Sequence, residues 1–147
     1  YVACASAAYA AEHGMPASLD ALSAGPVVTA TVMGRQLRIA AYLGDERHEV
    51  LLEPTLVSEN FLFLRQAILA GIGVGIVPDY VVHDDMRRGD IVTSLDAYRL
   101  SIFGTHMYML YMPNRHHTRA TSTFIEFILE QAGKTGRRGP DALRQGS

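Results

Sequence analysis

Apolar positions along this chain follow two alternating rhythms. Short runs of β-branched and aliphatic residues predict strands at residues 1–5, 26–32, 37–43, 49–55, 74–77, 91–95 and 107–112. Apolar residues at helical spacing predict helices over 7–13, from Ser18 through Leu22, and over 61–70, 79–88 and 118–131. In the last of these, Phe124, Phe127, Ile128 and Gln131 lie one or two turns apart and leave Glu126 and Glu130 on the wet side. Gly14 and Pro16 stop the first helix, Gly34 marks a turn, and Gly44-Asp45-Glu46-Arg47 reads as a hairpin turn. Strands alternating with helices predict an α/β domain with a mixed, mostly parallel sheet covered on both faces.

The stretch 57–78 organises the rest. Ser58 and Asn60 are strong N-cap types, whose side-chain oxygens satisfy free amides of a first helical turn. Over 61–70 only Arg65 and Gln66 are polar, so nearly the whole helix circumference requires a neighbour. Gly71 suits a left-handed cap, with Ile72 placed to pack back on the last turn. Val74, Ile76 and Val77 then read as a strand covered on both faces, and Pro78 can open the next helix.

Composition narrows the function classes. At 147 residues the chain is one domain, or one domain and part of another. A net charge of -2 does not suit a phosphate-gripping surface, and no apolar run approaches a membrane span. The start, Tyr1-Val2-Ala3-Cys4, lacks an initiator Met and a basic leader, so it reads as a cut inside a longer chain. One cysteine, Cys4, excludes an internal disulfide and suits a reducing compartment.

Catalytic and cofactor signals are weak. Gly71, Gly73 and Gly75 suggest a dinucleotide loop, but that fingerprint follows a strand and opens a helix, the reverse of the order here. The six histidines form no H-x-x-x-H pair, and His83-Asp84-Asp85 sits on a polar helix face as a solvated cluster. Asp84 and Asp85 are adjacent on a helix, so they diverge and make no carboxylate dyad. No G-x-S-x-G elbow is present, Cys4 lies in an apolar strand, and Met107, Met109 and Met112 fit core packing. We therefore expect no catalytic residues, no metal and no cofactor.

The ordered landmarks are Ala5-Ser6-Ala7-Ala8-Tyr9, Gly14-x-Pro16, Leu19 to Leu22, the run Ala70-Gly71-Ile72-Gly73-Val74-Gly75-Ile76-Val77-Pro78, Arg88-Gly89-Asp90-Ile91-Val92, Met107 to Met112, and Phe124-Ile125-Glu126-Phe127. Together, over about residues 1–132, they resemble the effector-binding domain of LysR-type transcriptional regulators. Two positions depart from that pattern: Ala7, where the family usually has Pro, and Leu37, where many members carry Trp.

The resemblance implies a periplasmic-binding-protein-like (type 2) fold with a small organic effector held between two lobes. It places a second lobe at about residues 6–98, and a return strand and C-terminal helix of the first lobe at about 105–132. The breaker-rich tail, 133–147, is expected to be disordered. Phe124, Phe127 and Ile128 would then find little of their own chain to cover them. Effector contacts are expected from Val28, Thr29 and Ala30 and from Ser58 and Asn60, which by resemblance face the cleft. Ser58 and Asn60 are equally explained as plain helix caps, and Glu59 opposes an anion at the same helix end. Further implications are a cytoplasmic homo-oligomer joined through the helix from Phe61 to Ala70, DNA contact only through an absent N-terminal domain, and no membrane partner. The rival readings are a lobe of a periplasmic solute-binding protein and a periplasmic-binding-like enzyme.

Overall fold

A computed structural model describes residues 1–30, 36–102 and 118–135. The chain divides into two compact units, Tyr1–His106 and Met107–Ser147. The first opens with β1 (Val2–Ser6), α1 (Ala7–His13), α2 (Leu19–Ala24), β2 (Val27–Thr29), β3 (Leu37–Leu43) and β4 (Glu46–Leu52). It continues through β5 (Leu56–Val57), α3 (Phe61–Leu69), β6 (Val74–Val77), α4 (Asp79–Arg88), β7 (Ile91–Ser94) and β8 (Arg99–Ser101). In the second unit the described residues form α5 (Arg119–Thr135), whose first turn is capped by the Thr118 hydroxyl accepting from the Thr121 amide.

A five-stranded sheet in the order β5-β2-β6-β1-β7 carries the first unit. It is mixed: β2 runs parallel to β5 and β6, whereas β1 is antiparallel to β6 and β7. A separate antiparallel sheet has the order β4-β3-β8. Alternation along the central strands divides the core in two. Cys4, Val28 and Val77 point to one face, where Leu64 and Ile68 of α3 and Val82 of α4 cover them. Ala3, Val27 and Ile76 point to the other, where Leu22 of α2 and Leu37, Ile39, Leu52 and Leu100 of the second sheet pack. Both faces are thus covered, one by helices and the other mainly by a sheet.

Several boundaries differ from the sequence expectation for identifiable reasons. The hairpin turn is only Gly44 and Asp45, with Leu43 opposite Glu46, so β4 starts three residues earlier than its apolar run. Charged Glu46, Arg47 and Glu49 mask that strand because β4 is an edge with a wet outer side. β5 and β8 are too short to produce a period, and they exist because a neighbouring strand pairs with them. Helix α5 continues through Gly133 to Thr135, three residues into the segment expected to be disordered. The expected strand at 107–112, the end of the strand at 26–32, the turn at Gly34 and the rest of the tail lie outside the described residues.

Phe124 and Phe127 are 60% and 53% exposed, and Ile128 is half-buried.

Candidate functional site

Parallel strands β2 and β6 end on the same edge of the large sheet, and the crossover from β5 into α3 begins there. This edge holds the Ser58-Glu59-Asn60 turn. Its geometry follows from local chemistry. The Ser58 amide donates to the Thr29 carbonyl at 3.2 Å, which continues the β2–β5 ladder and anchors the turn to the sheet. Ser58 Oγ then accepts from the Asn60 amide at 3.1 Å, and Asn60 Oδ1 accepts from the amides of Leu62 and Phe63 at 3.0 and 3.1 Å. Asn60 is therefore the N-cap of α3, with its acceptor oxygen fully engaged by two of the amides that every helix start leaves free.

What remains available on this turn is donor capacity. The Ser58 hydroxyl hydrogen and the two Asn60 Nδ2 hydrogens are not consumed by the cap, with Asn60 exposed and Ser58 half-buried. The positive end of the α3 dipole adds to them, while the exposed Glu59 carboxylate subtracts. Chemically, these donors can pair with a hydrogen-bond acceptor such as a carboxylate.

The expected β2 residues behave differently. Val28 and Thr29 are fully buried, and Thr29 Oγ1 donates to the Ile76 carbonyl at 3.0 Å, tying β2 to β6. Ala30 is buried at the strand end. The structure thus brings Ser58, Asn60 and the end of β2 to one edge, but the side chains of Val28 and Thr29 serve the core. Any contact they make with a ligand is through backbone atoms.

Sequence inspection missed a buried ionic group on the helix-covered face of the sheet. Asp85, read as part of a solvated cluster, is 1% exposed and ion-paired to Arg65 of α3 and Arg88 of α4. The signal was present: Val82 and Asp85 are one turn apart on the face α4 turns toward the sheet. His83 and Asp84 do face solvent, and no cluster of three metal-ligating side chains occurs among the described residues. Burial, reinforced by the Asp85 charge, pushes the Cys4 thiol up to about 12, which suits an inert core thiol. The glycines after α3 are packing devices. Gly71, at φ 75°, gives its amide to the Ile68 carbonyl while Ile72 gives its own to the Ala67 carbonyl, the hydrogen bonding of a Schellman cap. Ile72 itself stays largely exposed instead of folding back on the helix.

Apolar side chains are exposed around the same helix. Leu62 is 74% and Phe63 51% exposed, with Val57 and Tyr80 also open to solvent and Phe61 edge-on to Tyr80 at 6.3 Å between ring centroids. No described helix is long and apolar enough to cross a membrane.

Comparison with known proteins agrees with this architecture. The chain is 32% identical over 89 residues to the HTH-type transcriptional regulator PtxR of Pseudomonas aeruginosa, covering 60% of this chain and 28% of that protein. It is 25% identical over 130 residues to the HTH-type transcriptional regulator CrgA of Neisseria meningitidis, covering 88% of this chain and 42% of the relative. It therefore spans less than half the length of these curated relatives, which are regulators of transcription and not enzymes. Among solved structures, the CrgA regulatory domain from Neisseria meningitidis superposes with a TM-score of 0.65 at 20% identity, over 88% of this chain and 63% of that one. The full-length Vibrio cholerae virulence activator AphB superposes with a TM-score of 0.66 at 18% identity, over 88% and 44%. Both share the type 2 periplasmic-binding-protein-like fold. The model of the LysR substrate binding domain matches residues 1–133, nearly the whole described chain, and the protein belongs to that family.

Proposed function

We propose that this chain senses a small organic effector bearing a hydrogen-bond acceptor, held against the Ser58–Asn60 turn in a cleft between two lobes. Residues 6–98 form most of the second lobe in this reading, and the α5 helix belongs to the first lobe. The observation that carries the proposal is the turn's chemistry: its acceptors are used internally while its donors remain free of the cap at the positive end of α3. The backbone at the end of β2, beside Val28, Thr29 and Ala30, completes the edge. Effector binding favours one arrangement of the lobes over another, and that population shift is what the regulator transmits. DNA contact resides in an N-terminal part that the longer relatives have room for, and the assembled protein acts in the bacterial cytoplasm as a homo-oligomer. The exposed Leu62 and Phe63 on α3 supply an apolar surface for the neighbouring subunit.

The test separates capping from sensing. A thermal-shift screen of the full-length regulator against small carboxylic acids and aromatics identifies a ligand. Asn60→Asp then keeps the capping oxygen but removes the amide donors, and Ser58→Ala removes the hydroxyl. Each is expected to weaken that ligand about tenfold or more with little change in the unliganded melting temperature. Unchanged affinity in both variants would overturn the site.

A further inference from the structure

At the end of the large sheet opposite the Ser58–Asn60 turn, a second set of side chains surrounds a cavity with a different preference. β1 is antiparallel to β6, so helix α1 starts at the edge where β6 begins, beside the last turn of α3. There Tyr9 and His13 stack with ring centroids 4.5 Å apart and planes inclined by 19°. Beside the pair is a cavity of about 170 Å³, walled by Tyr9, His13, Glu12 and Ser6 from the α1 side and by the end of α3 from Leu69 to Gly71.

Three features of this wall select positive charge. Glu12 contributes a carboxylate that forms no ion pair among the described residues, and no Lys or Arg lines the cavity. The closing hydrogen bonds of α3 reach the carbonyls of Gln66, Ala67 and Ile68, so those of Leu69 and Ala70 lie beyond the capped set at the negative end of the helix dipole. The Tyr9 ring supplies an aromatic surface, which attracts an organic cation more strongly than a neutral group. Leu69 and Ala8 give the same cavity an apolar margin for a hydrocarbon stem.

We infer that this cavity is a second ligand site, for a small primary organic ammonium ion, separate from the effector turn. A molecule held there touches both α1 and the end of α3, so it acts on the opposite end of the helix that carries Asn60. The inference does not depend on the identity of the effector or on the effector site being right.

Titration of the 147-residue chain with benzylammonium chloride, followed by amide NMR shifts, tests it. Saturable shifts at Tyr9, Glu12, His13 and residues 69–71 are expected, with benzyl alcohol and sodium chloride at matched concentration producing none. Glu12→Gln, at an exposed position, is expected to keep the spectrum of a folded chain and weaken binding about fivefold or more. Absence of saturable shifts overturns the site, as do shifts confined to residues 58–62. Equal binding of benzyl alcohol, or unchanged affinity in Glu12→Gln, overturns its cation preference and with it the proposal.

Discussion

Arg65 on α3 holds Asp85 on α4 through two hydrogen bonds, Nε donating to Oδ2 at 2.6 Å and Nη2 donating to Oδ1 at 2.5 Å. Arg88, one turn along α4, also donates to Asp85 Oδ1, and its Nε reaches Asp90 Oδ2 at 2.9 Å. The Asp90 carbonyl in turn receives the Ala7 amide at 2.9 Å. One buried carboxylate therefore links α3, α4, the entry to β7 and the start of α1. Burying a charge is tolerable only with such complete pairing, and removing one partner leaves the other exposed to the full cost of desolvation.

Replacing Arg65 by Met is expected to destabilise the chain by about 2–3 kcal/mol, less than for a fully buried pair because Arg88 still faces Asp85 and Arg65 keeps some solvent contact. Combining Arg65→Met with Asp85→Leu is expected to recover most of that loss, since the same volume is then filled without a charge to desolvate. Urea denaturation of the single and double variants gives both values. A double variant less stable than Arg65→Met would show that the charges themselves are required.

The pair also sets a pH dependence. Hydrogen bonds from Arg65, with the Arg65 and Arg88 charges, outweigh burial and hold the Asp85 carboxyl below its ordinary 3.8. A folded-state value below the unfolded one contributes stability above pH about 4 and loses it as pH falls through the folded value. The stability gap between the wild type and Asp85→Asn should therefore be widest near neutrality and close progressively below pH about 4. Urea midpoints of the two proteins between pH 7 and pH 3 would show this, and a constant gap would contradict it.

Gly75 faces Ile68 so closely that an added Cβ would run into the Ile68 Cδ1 and Cγ1 atoms. Gly75→Ala is expected to cost about 1–3 kcal/mol, the usual range for overpacking a tight core. Adding Ile68→Val removes Cδ1 and is expected to return part of that loss, a coupling that a thermodynamic cycle measures directly. At Gly73 the obstacle is the Pro26 carbonyl, a backbone group that no side-chain change relieves. Gly73→Ala should accordingly be the more damaging variant, with no partner rescue.

Leu62 and Phe63 are both more than half exposed on the first turn of α3. If they meet another subunit, Leu62→Glu combined with Phe63→Glu should shift the full-length regulator toward smaller species in sedimentation velocity while leaving its circular dichroism unchanged. An unaltered sedimentation profile would place the subunit contact elsewhere.

Much of the fold could be read from residue order because its signals are local. Ser18 and Asn60 each accept the amide that their cap positions require, and Gly71 and Gly89 take the left-handed turn that ends α3 and α4. The buried run Val74–Val77 announced a central strand, since only a strand covered on both faces is apolar throughout. The turn at Ser58 and Asn60 was legible for the same reason: capping residues name their own hydrogen bonds.

Tertiary structure alone decided the long-range pairings. Strands β5 and β8 have no period of their own and are formed by their neighbours. Thr29 read as a ligand contact, yet its hydroxyl is committed to the Ile76 carbonyl, a partner 47 residues away. Asp85 read as solvated because two neighbours in sequence are polar, and it is buried because Arg65 reaches it from another helix. Caps and periods are fixed within a turn or two of chain and are visible in sequence. Which polar group meets which across the fold depends on how the elements are stacked, and only the assembled structure determines that.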